Sequence, residues 1–128
     1  MKNSIFALFM VLAVFVSCKK DSDKKPDNSS RTIRYEITGN FTGPTLFASY
    51  TSAGGGTAND PIVLPWTKEI TYSSNVAAAI IAISGNGGVA GQKVTIVVKR
   101  GGNQVGAPID ALADASGSFS KSAPAIVF

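Results

Sequence analysis

A single all-β domain, folded as a sandwich of about seven strands, is what this sequence predicts. Three observations carry that expectation. From Arg31 onward the apolar residues recur with a period of two, not the ~3.6 of a helix. Clusters of Gly, Asn and Pro cut the chain into short runs, as turns between strands do. The 128 residues suffice for one domain of ordinary size.

The first residues stand apart from that domain. Met1 to Ser17, MKNSIFALFMVLAVFVS, has one Lys ahead of an unbroken apolar run from Ile5 to Val16. That is the charge, apolar stretch and small-residue exit of a secretory signal. Its twelve apolar residues would span roughly 18 Å as a helix, short of the ~30 Å hydrocarbon core of a bilayer. Cys18, the only cysteine, follows at once in VFVSC, so no disulfide can form within the chain. The position resembles the lipobox of bacterial lipoproteins, in which the cysteine opens the mature chain and carries lipid. The resemblance implies lipidation at Cys18 and a membrane-anchored place in the bacterial envelope, facing the periplasm or the cell surface. After Cys18 comes KKDSDKKPDNSSR, Lys19 to Arg31, with Pro26 as its one apolar residue. It has nothing to bury against its chain entropy, so residues 18–31 are expected to form a disordered tether. The thirteen residues after Cys18 reach roughly 40 Å when extended.

The domain, residues 32–128, is read strand by strand. RTIRYEITG alternates Ile33, Tyr35 and Ile37 with Arg34, Glu36 and Thr38, and ends at Gly39-Asn40. In PTLFASYTS both faces carry a ring, Tyr50 on one and Phe47 on the other, so either face could be the inner one. Ala53 to Asp60, AGGGTAND, reads as a flexible connection. In PIVLPWTKEITYSS, Pro65 has no N–H to give a ladder, which predicts a break between a strand at Ile62–Leu64 and another at Thr67–Tyr72. Asn75 to Ile83, NVAAAIIAI, is short and rich in β-branched residues, and reads as a strand buried on both faces. The glycines of AISGNGGVAG then read as a long hairpin loop. KVTIVVKR, Lys93 to Arg100, is the clearest strand, with Gly101-Gly102-Asn103 as a hairpin turn. Gln104 to Pro108 is expected to return as a short strand, Ile109 to Ser116 to be a loop, and Phe119 to Phe128 to be one last extended segment. About seven strands of this kind fit an immunoglobulin-like sandwich.

Several functions are set aside by what the residues offer. Gly85-x-Gly87-x-x-Ala90 matches the loose dinucleotide fingerprint, but a strand follows where the phosphate-holding helix should begin. Of twelve basic residues, Lys2, Lys19, Lys20, Lys24, Lys25, Arg31 and Arg34 lie in the leader or in and beside the tether. Lys68, Lys93, Lys99, Arg100 and Lys121 remain in the domain against Glu36, Asp60, Glu69, Asp110 and Asp114. That balance argues against a nucleic-acid partner, which calls for a basic patch on the domain itself. There is no histidine, and the five carboxylates are scattered. No enzyme, cofactor or metal site is expected; Asp110 and Asp114 read as solvated turn residues rather than calcium ligands. Leu64-Pro65-Trp66 stands out. Its Trp, the only one in the chain, either plugs one end of the sandwich or contacts a partner together with Pro65, since Trp is enriched at binding hot spots.

The order of RYEITG (Arg34–Gly39), SYTSAGGGT (Ser49–Thr57), LPWTKEIT (Leu64–Thr71) and VTIVVKRGGNQV (Val94–Val105) resembles the MmpS family of small envelope proteins. The resemblance runs from Thr32 to about Val105, with LPW-[ST]-[KR] its most specific part. It implies a small β-sandwich outside the membrane that serves a large RND-type exporter as accessory protein. Where mycobacterial members use an uncleaved helix as anchor and commonly hold a cysteine pair, this chain offers a lipobox and no cysteine in the domain. The function expected is thus a non-catalytic, lipid-anchored accessory or binding module with a transporter or other envelope protein as partner. The rival expectation is a lipoprotein that binds glycans or lipids.

Overall fold

The computed structural model describes residues 29–128. The expected signal segment 1–17, Cys18 as the expected lipidation residue, and most of the expected tether lie outside the described residues. Among those described, every regular element is a strand. There are eleven: β1 (Thr32–Gly39), β2 (Thr45–Thr51), β3 (Thr57–Pro61), β4 (Trp66–Thr71), β5 (Ala78–Ala79), β6 (Ile81–Asn86), β7 (Lys93–Arg100), β8 (Asn103–Gln104), β9 (Ile109–Leu112), β10 (Phe119–Ser122) and β11 (Ile126–Val127).

They form a β-sandwich, with all pairing antiparallel. One sheet runs β4-β1-β7, and both β8 and β9 pair with the far side of β7. The other runs β10-β6-β2-β3. β5 and β11 form a small ladder of their own. The period of two sets the core. Ile33, Tyr35 and Ile37 of β1 and Val94, Ile96 and Val98 of β7 line the inner face of the first sheet, in register as Ile37 with Ile96 and Tyr35 with Val98. Leu46, Ala48 and Tyr50 of β2, with Ile81 and Ile83 of β6, line the inner face of the second. Each of these larger side chains contributes about 1.5–3 kcal/mol by leaving water. The inner face of β2 is therefore the one with Tyr50, and Phe47 points outward, half-buried.

Several expectations about elements are corrected. The segment read as a flexible connection contains β3, an edge strand that ends on Pro61, where a missing N–H faces no neighbour. Ile62–Leu64 is not a strand but a link between the two sheets. NVAAAIIAI is two strands that meet at Ile80, and it is buried on one face only, Ile80 being 49% exposed. Thr51 causes that break. Its backbone N–H donates to Ile80 O (3.0 Å), and its hydroxyl accepts from Ile80 N–H (3.1 Å). The expected strand Gln104–Pro108 stops at Gln104, because Gly106 turns the chain at φ +70°. Ile109–Leu112, expected as loop, is β9. The last segment is two strands interrupted around Pro124. The extra short pieces explain why the count exceeds seven.

The glycine run is not a hairpin loop, since it carries the chain from β6 in one sheet to β7 in the other. Its start packs against two rings. A Cβ on Gly85 would lie 2.5 Å from Phe119 Cε1 and 2.8 Å from Phe41 Cε1, and those rings meet edge to face at 5.0 Å. After Gly91 the chain enters β7 almost at once.

The sandwich has two ends. β1 enters at one of them, where Thr32 pairs with Thr71 of β4. Arg31, expected at the tail of the tether, is anchored there. Its Nε donates to Tyr72 O (3.2 Å), its Nη2 to Ser73 O (2.6 Å) and, more closely, to Val76 O. Its guanidinium lies 4.3 Å from the ring centre of Phe128. At the opposite end lie the link Ile62–Pro65, the glycine run and the turn after β9.

Candidate functional site

The site is built where β3 and β4, the edge strands of the two sheets, face each other across a gap. The link between them carries Val63, Leu64 and Pro65. Pro65 follows Leu64 through a cis peptide and precedes the first residue of β4. Trp66 pairs with Ile37 at the end of β1 away from chain entry. Thr32 and Ile37 are five residue steps apart, roughly 17 Å of strand.

Trp66 combines features of both readings made of it. One side of its indole packs on the core, with the ring of Tyr50 at 5.9 Å and tilted by 45°. The side chain is only half-buried, Pro65 beside it is exposed, and Val63 is 82% exposed. The end of the sandwich is thus both closed by Trp66 and fringed with apolar side chains that no other described residue covers.

From Trp66 toward the chain-entry end the gap opens into a groove of about 350 Å³, walled by Tyr50, Ser52, Ala58, Lys68, Ile70 and Thr71. Trp66, Lys68 and Ile70 alternate along β4, so the ammonium of Lys68 belongs to the inward row of an edge strand. An inward charge on an edge discourages pairing with another sheet. Tyr50 OH donates to Asp60 Oδ2 across the β2–β3 ladder at 2.5 Å. That hydrogen bond, helped by burial, pushes the Tyr50 phenol up to about 12. Deeper in, Tyr72 OH donates to Thr51 O at 2.7 Å, so the 3.2 Å contact between Tyr35 and Tyr72 has Tyr35 as donor. Burial raises both of these phenols above their ordinary range as well. All three tyrosines stay neutral near pH 7, so they pack and hydrogen-bond there but do not accept protons.

Three other acidic residues are engaged elsewhere. Glu36 lies on the outer face of its sheet and accepts from Arg34 Nε (3.0 Å) and Lys99 Nζ (3.1 Å). The Lys99 hydrogen bond holds its carboxyl below the usual range. Asp110 sits on β9, bonded by the Thr95 hydroxyl at 2.7 Å. Asp114 folds its turn, accepting from Ser116 Oγ (2.6 Å), Ser116 N (2.9 Å) and Ser118 N (3.1 Å). Among the described residues no three His, Cys, Asp or Glu side chains come together as metal ligands would.

Sequence reasoning singled out Pro65 and Trp66 but missed Tyr50, Asp60 and Lys68. Tyr50 could have been found only as one of two candidate rings, since either face of β2 could be the inner one. Asp60 could not, because its strand reads as a loop. No known family model matches the chain, and no curated protein matches it.

Proposed function

We propose that this chain is a non-catalytic, lipid-anchored envelope protein that docks on a membrane partner through the Trp66 end of its sandwich. In this reading Cys18 carries the lipid and residues up to Arg31 tether the domain. Val63, Pro65 and Trp66 meet the partner. The partner class, an RND-type exporter, comes from the MmpS resemblance of the blocks around LPWTKEIT.

The register of β1 and β4 carries the reading. Thr32, where the chain enters, pairs with Thr71, and Trp66 lies at the other end of the same strand pair. A domain held by its N-terminal side therefore turns the exposed Val63, Pro65 and Trp66 away from the anchor, toward whatever stands beside it. Anchoring two proteins in one membrane raises their effective concentration, so a small contact of this kind suffices. Lys68 and Asp60 add charge next to the aromatic contact, the mixed chemistry of an interface rim.

The test uses membranes of the native host. The wild-type protein should co-purify with an integral transporter, and Trp66→Ala should lose it by about tenfold, the effect of removing a hot-spot side chain. Cys18→Ala should release the protein into the soluble fraction. Retention of the transporter by Trp66→Ala, or of membrane binding by Cys18→Ala, would each remove its half of the reading.

A further inference from the structure

The other open side of the sandwich holds a second feature, independent of the docking reading. There the edges of both sheets break opposite one another. After β8, Gly106 and Pro108 lead the chain off β7, and pairing resumes only at Ile109. Across the gap, the chain between β10 and β11 is broken around Pro124. The two breaks leave a trough of about 350 Å³, within the ~300–1,000 Å³ range of small-molecule sites. Its floor is Ile96 and Val98 of the inner row of β7; its walls include Val105, Pro108, Ile109 and Ile126. No charged side chain lines it.

A cation stands next to it. The inner row of β7 runs Val94, Ile96, Val98, Arg100, so Arg100 follows the trough floor by one pleat, ~7 Å along the strand. Its Nε donates to Ser30 O (2.7 Å) and its Nη1 to Val127 O (3.2 Å), next to wall residue Ile126. Its guanidinium lies 5.2 Å from the Phe128 ring, whose other cationic neighbour is Arg31. Among the described residues, neither arginine has a carboxylate within ion-pair distance. An apolar trough flanked by Arg100, a guanidinium that no described carboxylate pairs, complements one kind of molecule: a single aliphatic chain with an acidic head.

We propose that this trough binds such an amphiphile, with the chain over Val98 and Ile96 and the head at Arg100. A free fatty acid and a single-chain acidic phospholipid share this chemistry. The purified full chain is titrated with laurate, with a twelve-carbon lysophosphatidylglycerol and with dodecanol, by equilibrium dialysis below their micelle concentrations. At least one acid should bind saturably, one per chain, and about tenfold more tightly than dodecanol; the tighter of the two names the source. Ala107→Trp and Ala125→Trp, which fill the trough from exposed wall positions, should each weaken binding by about tenfold without lowering the melting temperature. Arg100→Gln should abolish the preference for acid over alcohol and leave dodecanol binding unchanged. Absence of saturable binding, equal affinity for laurate and dodecanol, or wild-type affinity in both Trp variants would overturn the proposal.

Discussion

Tyr50 links the core to the candidate site, and its hydroxyl gives the fold a pH dependence. Its pKa in the folded chain is pushed up to about 12 by the bond to Asp60 and by burial, against ~10 in an unfolded chain. A raised folded value means stability that is whole below pH ~10 and lost as pH climbs toward 12. Chemical denaturation at pH 8 and at pH 11 should show that loss. Tyr50→Phe, which cannot ionise, should lessen the alkaline slope, with Tyr35 and Tyr72 supplying what remains, while lowering stability at pH 8 by about 1 kcal/mol for the lost hydrogen bond. Gly85 belongs to the same scale. Its missing side chain leaves room for the edge-to-face pair of Phe41 and Phe119, both of which a Cβ would strike. Gly85→Ala should cost about 1–3 kcal/mol by overpacking, read as a lower midpoint in the same denaturation experiment.

Among the elements, β7 is the best anticipated from sequence, and the reason is physical. It is central, pairs on both sides, and keeps its buried row alternating from Lys93 to Lys99, so its hydrophobic pattern and its position agree. The hairpin after it is equally legible. Gly101 and Gly102 both take positive φ, +57° and +83°, as the two-residue turn with the sheet's own twist requires. Gly102→Val, forced into that left-handed region, should cost about 1–2 kcal/mol; an unchanged unfolding midpoint would contradict the turn assignment. β3 and β9 were illegible for the opposite reason. Both are short outer strands that pair on one side only, so TANDP and IDAL need neither long alternation nor strand-prone residues. Proline on an edge costs no ladder bond, and Asp60 finds the Tyr50 hydroxyl across the β2–β3 ladder. Local composition reads such segments as loops because their strand character is conferred by the neighbour they pair with. The candidate site inherits this limit: its half on β4 shows in LPWTKEIT, and its half on β3 does not.

For the molecule as a whole, the account rests on the opposition of two ends. Arg31 fastens the entering chain to the carbonyls of Tyr72, Ser73 and Val76 and to the ring of Phe128, so the domain meets its N-terminal segment through a fixed joint. From that joint β1 and β4 lead, side by side, to Trp66 and the exposed Val63. A photo-crosslinking residue placed at Val63, or at the also strongly exposed Val127 near the joint, tests this polarity in native membranes most directly. The account predicts that Val63 yields an adduct with an integral membrane transporter and that Val127 does not. An adduct with that transporter from Val127 and none from Val63 would contradict it.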